Sequence, residues 1–436
     1  MNLTTEYQLN LFKSETDISN DMHYKSIHRD LATFKSGEDK PIHRWFRLTP
    51  SFGPDLVNII LNEFNYNSNS IVLDPFAGAG TTLIECQLNN IKSYGFEINK
   101  FLHYVCQTSL NSHSLDIDNL LELNDSINKC FSDYQKKYLN SDYQSLDIDV
   151  PTIHNIERWW RPDVLKDLLI LKKAIINETN CLNDIYRDIF LLIVAGILVP
   201  DLTNVTLGKL QLHFINRDND IIDVIKRYNQ HFNVVISDLE RIKKLNNDNI
   251  GTIINIDSTI INEETIKDKI DFVITSPPYP NRYSYVWNTR PYLYFFDFFN
   301  TPKEAADLDK KTIGGTWGTA TSILAKGKIE PLNEVVDDYA SEAVEKIREY
   351  DNLMANYVMK YFNLLTQQII KMKPILCEDP KLAYVVGVSD IKGVRVSTDE
   401  ILSNIFKGLE YNSKIVRFRK RNSGKDLYES IVFAQR

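Results

Sequence analysis

Short apolar runs alternate with apolar residues at helical spacing near both ends of the chain, and the alternation lapses in between. Ile71-Val72-Leu73 and Ser93-Tyr94-Gly95-Phe96 read as strands of a buried sheet. Leu83, Ile84 and Leu88 carry a helix from Thr81 between them. Upstream, Leu56, Val57, Ile60, Leu61 and Phe64 follow Pro54, a residue suited to a helix start. Strands are predicted again at Thr252–Ile256, Ile270–Ile274 and Leu382–Val388, and helices over Tyr350–Met372 and from Thr398. Asp390-Ile391-Lys392-Gly393 predicts a turn, and Lys414–Lys420 with Glu429–Ala434 predicts a closing hairpin around Asn422–Lys425. The class is α/β.

Two stretches break this rhythm. Residues 105–248 predict helices at Leu120–Tyr138, after Trp159-Trp160-Arg161-Pro162, at Ile185–Val199 and at Ile221–Leu245, a mainly helical insertion. Core positions suit Trp159 and Trp160 better than base stacking. Residues 300–350 predict a smaller, loop-rich insertion centred on Gly314-Gly315-Thr316-Trp317-Gly318. Residues 1–40 are polar and read as an arm. The sheet domain is then 41–104 with 249–299 and 351–436.

Composition narrows the class. A chain of 436 residues, 43% hydrophobic and 25% charged, reads as soluble and globular. The longest apolar stretch, Ile189 to Pro200, is too short for a bilayer. No export signal opens the sequence, so a cytoplasmic protein without a membrane partner is expected. Five scattered cysteines without Cys-x-x-Cys spacing suggest reduced thiols and no metal site. With a net charge of −8, nucleic-acid binding requires a local basic face.

The chemistry concentrates in two turns. Thr275-Ser276-Pro277-Pro278-Tyr279 follows a predicted strand. Neither proline has an N–H to donate, so the chain leaves the sheet as a stiff turn with free carbonyls. A hydroxyl, a fixed carbonyl and a ring there suit a planar base with an exocyclic amine; a plain strand-capping turn is the simpler alternative. The second turn is Asp74-Pro75-Phe76-Ala77-Gly78-Ala79-Gly80-Thr81-Thr82. Gly78 and Gly80 permit unusual dihedrals and close ligand approach. Glu97, followed by Ile98, ends the next strand, where nucleotide-binding folds hold ribose hydroxyls. The turn lacks a phosphate-binding lysine. Asp74 suits a cation such as the ammonium of S-adenosylmethionine, or a helix cap. Asp257-Ser258 ends a third strand and suits either an adenine amine or a helix cap.

Arg282, Tyr283 and Arg290 lie in an aromatic, polar-interleaved stretch suited to unstacked bases. Trp317 suits a lid or DNA wedge as well as a packed loop. Arg417, Arg419, Lys420, Arg421 and Lys425 gather positive charge for phosphates or a solvated hairpin tip.

Together, Asp74–Gly80 and Ser276-Pro277-Pro278-Tyr279 resemble the amino-group DNA methyltransferases, which make N4-methylcytosine or N6-methyladenine. The resemblance covers about 60% of the chain, leaving out both insertions. It implies a Rossmann-like class I methyltransferase sheet of seven strands, the last antiparallel, with 41–104, 249–299 and 351–436 as catalytic domain. It implies S-adenosylmethionine held by Phe52, Asp74, Pro75, Phe76, Ala77, Gly78, Gly80, Thr81, Thr82, Glu97, Ile98, Asp257, Ser258 and Thr275. Ser276, Pro277, Pro278 and Tyr279 would be catalytic. Arg282, Tyr283, Arg290, Trp317, Arg419, Arg421 and Lys425 would touch double-stranded DNA, with recognition falling to an insertion. Serine before Pro-Pro favours cytosine N4 over adenine N6. The implied setting is restriction-modification or phage defence, with a restriction endonuclease or defence-complex subunit as a separate partner. Rival readings are an RNA base methyltransferase and a non-catalytic cofactor-binding subunit of a DNA-marking complex. C5-cytosine methylation needs a cysteine after a proline, and no Pro-Cys pair exists.

Overall fold

Seven strands make one sheet: β1 (Ile71–Asp74), β2 (Lys92–Phe96), β3 (Thr252–Ile254), β4 (Ile270–Thr275), β5 (Leu376–Gly387), β6 (Asn412–Arg419) and β7 (Tyr428–Gln435). The structure is a computed structural model and describes residues 33–49, 51–208, 211–245, 249–280, 283–314, 319–419 and 428–436. Arg282, Trp317, Arg421 and Lys425 lie outside the described residues, as do most of the predicted arm and the hairpin tip. The strand order is β6-β7-β5-β4-β1-β2-β3. Neighbours are parallel except β7, which runs antiparallel to β5 and β6. This is the Rossmann-like methyltransferase sheet. The order reverses about β1, so the carboxyl ends of β1 and β4 adjoin at the switch point where open α/β sheets take ligands.

Period-two alternation explains why this sheet is covered on both faces. Val72, Phe272 and Ile274 turn toward α1 (Pro54–Phe64), whose Leu56, Val57, Ile60, Leu61 and Phe64 form one apolar stripe. Leu73 and Val273 turn the other way, toward α11 (Asn352–Met372) and α12 (Thr398–Gly408).

A third core lies outside the sheet. It gathers α4 (Ile117–Lys137), α5 (Pro162–Thr179), α6 (Asp184–Leu198), α7 (Val224–Ile242) and a small hairpin, Val205–Leu207 with Leu212–Phe214. Two helices join this core to the sheet, α3 (Lys100–Asn111) and α8 (Tyr285–Phe295). The expected boundary at residue 105 falls inside α3, which packs beside β3; the helical stretch beyond the sheet layer begins after it. Trp159 and Trp160 are core residues of this layer.

The stretch 300–350 is more helical than expected. It holds α9 (Pro302–Lys311), a short helix Thr319–Leu324 and α10 (Glu334–Arg348). Glu304 accepts the Thr301 N–H at 2.8 Å, and Asn333 accepts the Val336 N–H at 3.0 Å. Those caps offset a highly charged composition. Lys392 and Gly393, both at positive φ, close a hairpin between Ser389–Ile391 and Val394–Val396 where only a turn was expected.

Candidate active site at the switch point

Beyond β1 the chain turns on two glycines into α2 (Thr81–Leu88). Gly78 has φ +55° and Gly80 φ +93°. A Cβ on Gly80 would stand 2.4 Å from Cys106 Sγ, so both conformation and space demand glycine. The turn is tied to its neighbours by carboxylates. Glu97, just past β2, accepts the Gly78 N–H at 2.9 Å and the Asn99 N–H at 2.7 Å. Asp74 Oδ1 accepts the Phe76 N–H at 3.0 Å and the Thr275 hydroxyl at 2.5 Å. That last bond joins the ends of β1 and β4, and with them the two predicted turns.

Asp74 is buried, and its Oδ2 has no hydrogen-bond partner among the described residues. Burial pushes the Asp74 carboxyl up to about 6 and the Glu97 carboxyl up to about 7. An unsatisfied buried carboxylate oxygen at the switch point of the sheet suits an incoming N–H donor.

The other wall comes from the chain's early residues, held by an unforeseen clamp. Asp238 on α7 is fully buried and accepts from Ile42 N (3.3 Å), Arg44 Nε (3.0 Å), Arg44 Nη2 (2.5 Å) and Trp45 Nε1 (2.9 Å). His231 bonds the Trp45 carbonyl at 2.9 Å, and His43 meets Glu85 of α2 at 2.6 Å. The clamp brings Leu48 against the turn, where a Cβ on Gly78 would lie 3.1 Å from it. A cleft of about 230 Å³ opens here, lined by His43, Leu48, Ser51, Phe52, Ala79 and Thr81 among others.

Beyond β4, Thr275 is fully buried and Pro277 is buried. Ser276 Oγ donates to the Val385 carbonyl of β5 at 3.2 Å. Its proton is therefore directed into the sheet, leaving the oxygen to accept. The Tyr279 ring lies over Gly387, where a Cβ would approach it to 2.9 Å. The Tyr357 hydroxyl donates to the Tyr279 carbonyl at 3.4 Å, and burial holds the Tyr279 phenol well above its ordinary range. Gly314 reaches the same turn, its Cβ position 3.6 Å from Pro278 Cβ.

Residues 33–108 match a family described as DNA methylase, the N6/N4 group. The chain is 24% identical over 435 residues to the type II methyltransferase M.AvaI of Nostoc sp., covering 89% of this chain and 83% of that one. It is 23% identical over 383 residues to M.MjaII of Methanocaldococcus jannaschii (70% of each chain). To M.MvaI of Kocuria varians it is 22% identical over 354 residues, covering 78% of this chain and 74% of that one. Residues 33–108 and the length shared with these relatives are thus similar to the amino-group DNA methyltransferases.

The predicted cofactor and catalytic residues divide among four adjacent strand ends. Asp74–Thr82 follow β1, Glu97 and Ile98 follow β2, Asp257 and Ser258 follow β3, and Thr275–Tyr279 close β4. Phe52 sits just before α1 in the facing wall. Asp257 also fills its simpler role: Oδ1 accepts the Thr259 N–H at 2.9 Å and the Thr259 hydroxyl at 2.8 Å.

The predicted DNA contacts fare less evenly. Tyr283 is buried and donates its hydroxyl to the Thr49 carbonyl, so it offers no ring to a base. Arg417 is buried between Asp399 (2.5 Å) and Glu400 (2.6 Å), and so is not a phosphate contact. Arg419 ends β6. Arg290 is half-buried against aromatic rings. Among the described residues there is no cluster fit to hold a metal ion, and no helix is long and apolar enough to cross a membrane.

Proposed function

We propose that this enzyme methylates the exocyclic amino nitrogen of a base flipped out of duplex DNA, with cytosine N4 as the target and adenine N6 as the alternative. The observation carrying the reading is the Thr275–Asp74 hydrogen bond, which holds the two turns together at the switch point. S-adenosylmethionine would supply a methyl group made electrophilic by the adjoining sulfonium.

Asp74 Oδ2 is the acceptor for its ammonium, Glu97 for the ribose hydroxyls, and Asp257 with Ser258 for the adenine edge. Phe52 and the glycine turn, from Pro75 to Thr82, wall the pocket. A base inside a duplex cannot reach that pocket, so it must be extruded. An exocyclic amine is a poor nucleophile because its lone pair is delocalised into the ring. Ser276 Oγ, its own proton engaged by Val385, accepts one amine N–H, and the Pro277 carbonyl accepts the other. Both bonds localise the lone pair on nitrogen and aim it. Tyr279 stacks on the extruded ring, and Pro278 keeps the turn rigid, since displacement requires alignment at close range. Serine, rather than an acid or amide before Pro-Pro, supports cytosine.

The similarity to type II methyltransferases supports a restriction-modification role with a separate endonuclease. The deciding test incubates the protein with methyl-labelled S-adenosylmethionine and mixed-sequence duplex, then digests to nucleosides. Label in N4-methylcytosine is expected. Label in N6-methyladenine moves the target, label in RNA alone overturns the substrate, and cofactor binding without transfer marks a silent subunit.

A further inference from the structure

The geometry points to a ladder of arginines and aromatic rings, running from α8 onto the helical insertion, as the surface that grips the phosphates of the target duplex. This rests on the proposed function and assigns DNA contact to the first insertion. The Arg158 guanidinium lies 3.8 Å over the Phe214 ring. Phe214 meets Trp159 edge-on at 5.1 Å, and Trp159 meets Trp287 at 5.7 Å. Arg290 closes the ladder, 5.4 Å over Trp287 and 5.7 Å over Tyr294. Arg158 is exposed, and Phe214, Trp287 and Arg290 are half-buried.

Three observations separate this ladder from ordinary packing. Most described arginines lie against carboxylates, as Arg161 does with Asp163 and Arg348 with Glu345. Arg158 and Arg290 lie on rings instead, with no carboxylate at ion-pair distance among the described residues. Arg290 Nε is moreover buried without a hydrogen-bond partner among them. In a chain of net charge −8, uncompensated guanidiniums mark where an anion is received. The exposed Arg158 guanidinium, 3.8 Å over its ring, can offer N–H groups to phosphate oxygens, and the buried Arg290 Nε still lacks an acceptor among the described residues. Finally, the ladder starts beside the site. Helix α8 begins at Tyr285, just past the Pro-Pro turn, and its Thr289 accepts from Asn99, two residues beyond Glu97, at 2.9 Å.

The test is fluorescence anisotropy of the full chain with mixed-sequence duplex across a salt series, a non-transferring cofactor analogue present. Removing a phosphate contact lowers the slope of log affinity against log salt by about 0.9. Arg158→Gln and Arg290→Gln should each show that loss and together about twice it, across all sequences alike. Arg158→Lys and Arg290→Lys should keep most of the slope, and Lys346→Ala on α10 should leave it unmoved. Cofactor affinity should stay at the wild-type value in every variant. An unmoved slope in folded Arg158→Gln and Arg290→Gln would overturn the proposal, as would a lowered melting temperature alone; the ladder would then only cement the insertion. Tighter, equally arginine-dependent binding to single-stranded RNA would overturn the duplex assignment. Wild-type protein that transfers methyl groups while its slopes ignore both arginines sinks this inference alone; protein that binds duplex through them yet transfers nothing sinks the catalytic reading instead.

Discussion

The glycine turn after β1 and the Pro-Pro turn after β4 sit side by side, yet they are built by opposite means. The first uses residues that permit what others cannot adopt, with Gly78 and Gly80 at positive φ. Its contribution is backbone closeness and buried acids. The second uses residues that forbid, so Pro277 and Pro278 leave carbonyls and a hydroxyl pointing where no helix or ladder absorbs them. Permissive backbone lets a ligand come near, whereas restrictive backbone fixes atoms for a reaction. Changes in the first turn should therefore register in stability and cofactor binding, and changes in the second in transfer.

The largest expected effect is at Gly80. Gly80→Ala combines left-handed strain with a clash on Cys106 and should cost about 2–5 kcal/mol in urea unfolding, partly recovered by adding Cys106→Ala. A wild-type unfolding midpoint in the single variant would contradict the close packing. Next is Tyr279→Ala, which should lower transfer roughly ten- to hundredfold through lost stacking. Calorimetry should show its cofactor affinity intact; a joint loss of both would erase the contrast between the turns.

A pH effect belongs to the first turn. Burial raises Asp74 from 3.8 to about 6 and Glu97 from 4.5 to about 7. The folded, ligand-free protein thus binds more protons than the unfolded chain in those intervals. Its stability should be greatest at their acid end and fall as pH rises through them. A ligand that donates hydrogen bonds needs both groups ionised. Affinity for a cofactor analogue should rise by more than a hundredfold from about pH 5 to about pH 7, with proton release seen by calorimetry in different buffers. Asp74→Asn and Glu97→Gln should each flatten the profile; an unchanged profile in both would detach these acids from the cofactor. The smallest effect is at Gly387, where alanine presses on the Tyr279 ring. Transfer should fall by about 1 kcal/mol, roughly fivefold, with cofactor affinity preserved.

Both turns were legible in the sequence because each is a local backbone exception written in consecutive residues. The strand ends carrying Glu97 and Asp257 were legible too, since periodicity and an acid mark them within a few positions. What escaped notice acts over distance or through geometry. Nothing near residue 42 announces Asp238, nearly two hundred positions away, although it seats a wall of the cleft. Tyr283 read as a DNA contact because it neighbours Arg282, but its hydroxyl found Thr49 and its ring went inside. The helices of 300–350 were hidden by charge that belongs to their solvent faces, while Val336, Ala340, Val344 and Ile347 are buried along one side of α10.

The bonds from Asp238 carry one more consequence, for engineering. Residues 42–45 answer to α7 as firmly as to the sheet they serve. A helical layer cut at its ends and exchanged with that of a relative would carry this anchor away. The host would keep every strand of its sheet and still lose one wall of the cleft beside the glycine turn. A working chimera has to transplant the opening strap together with the helices that moor it.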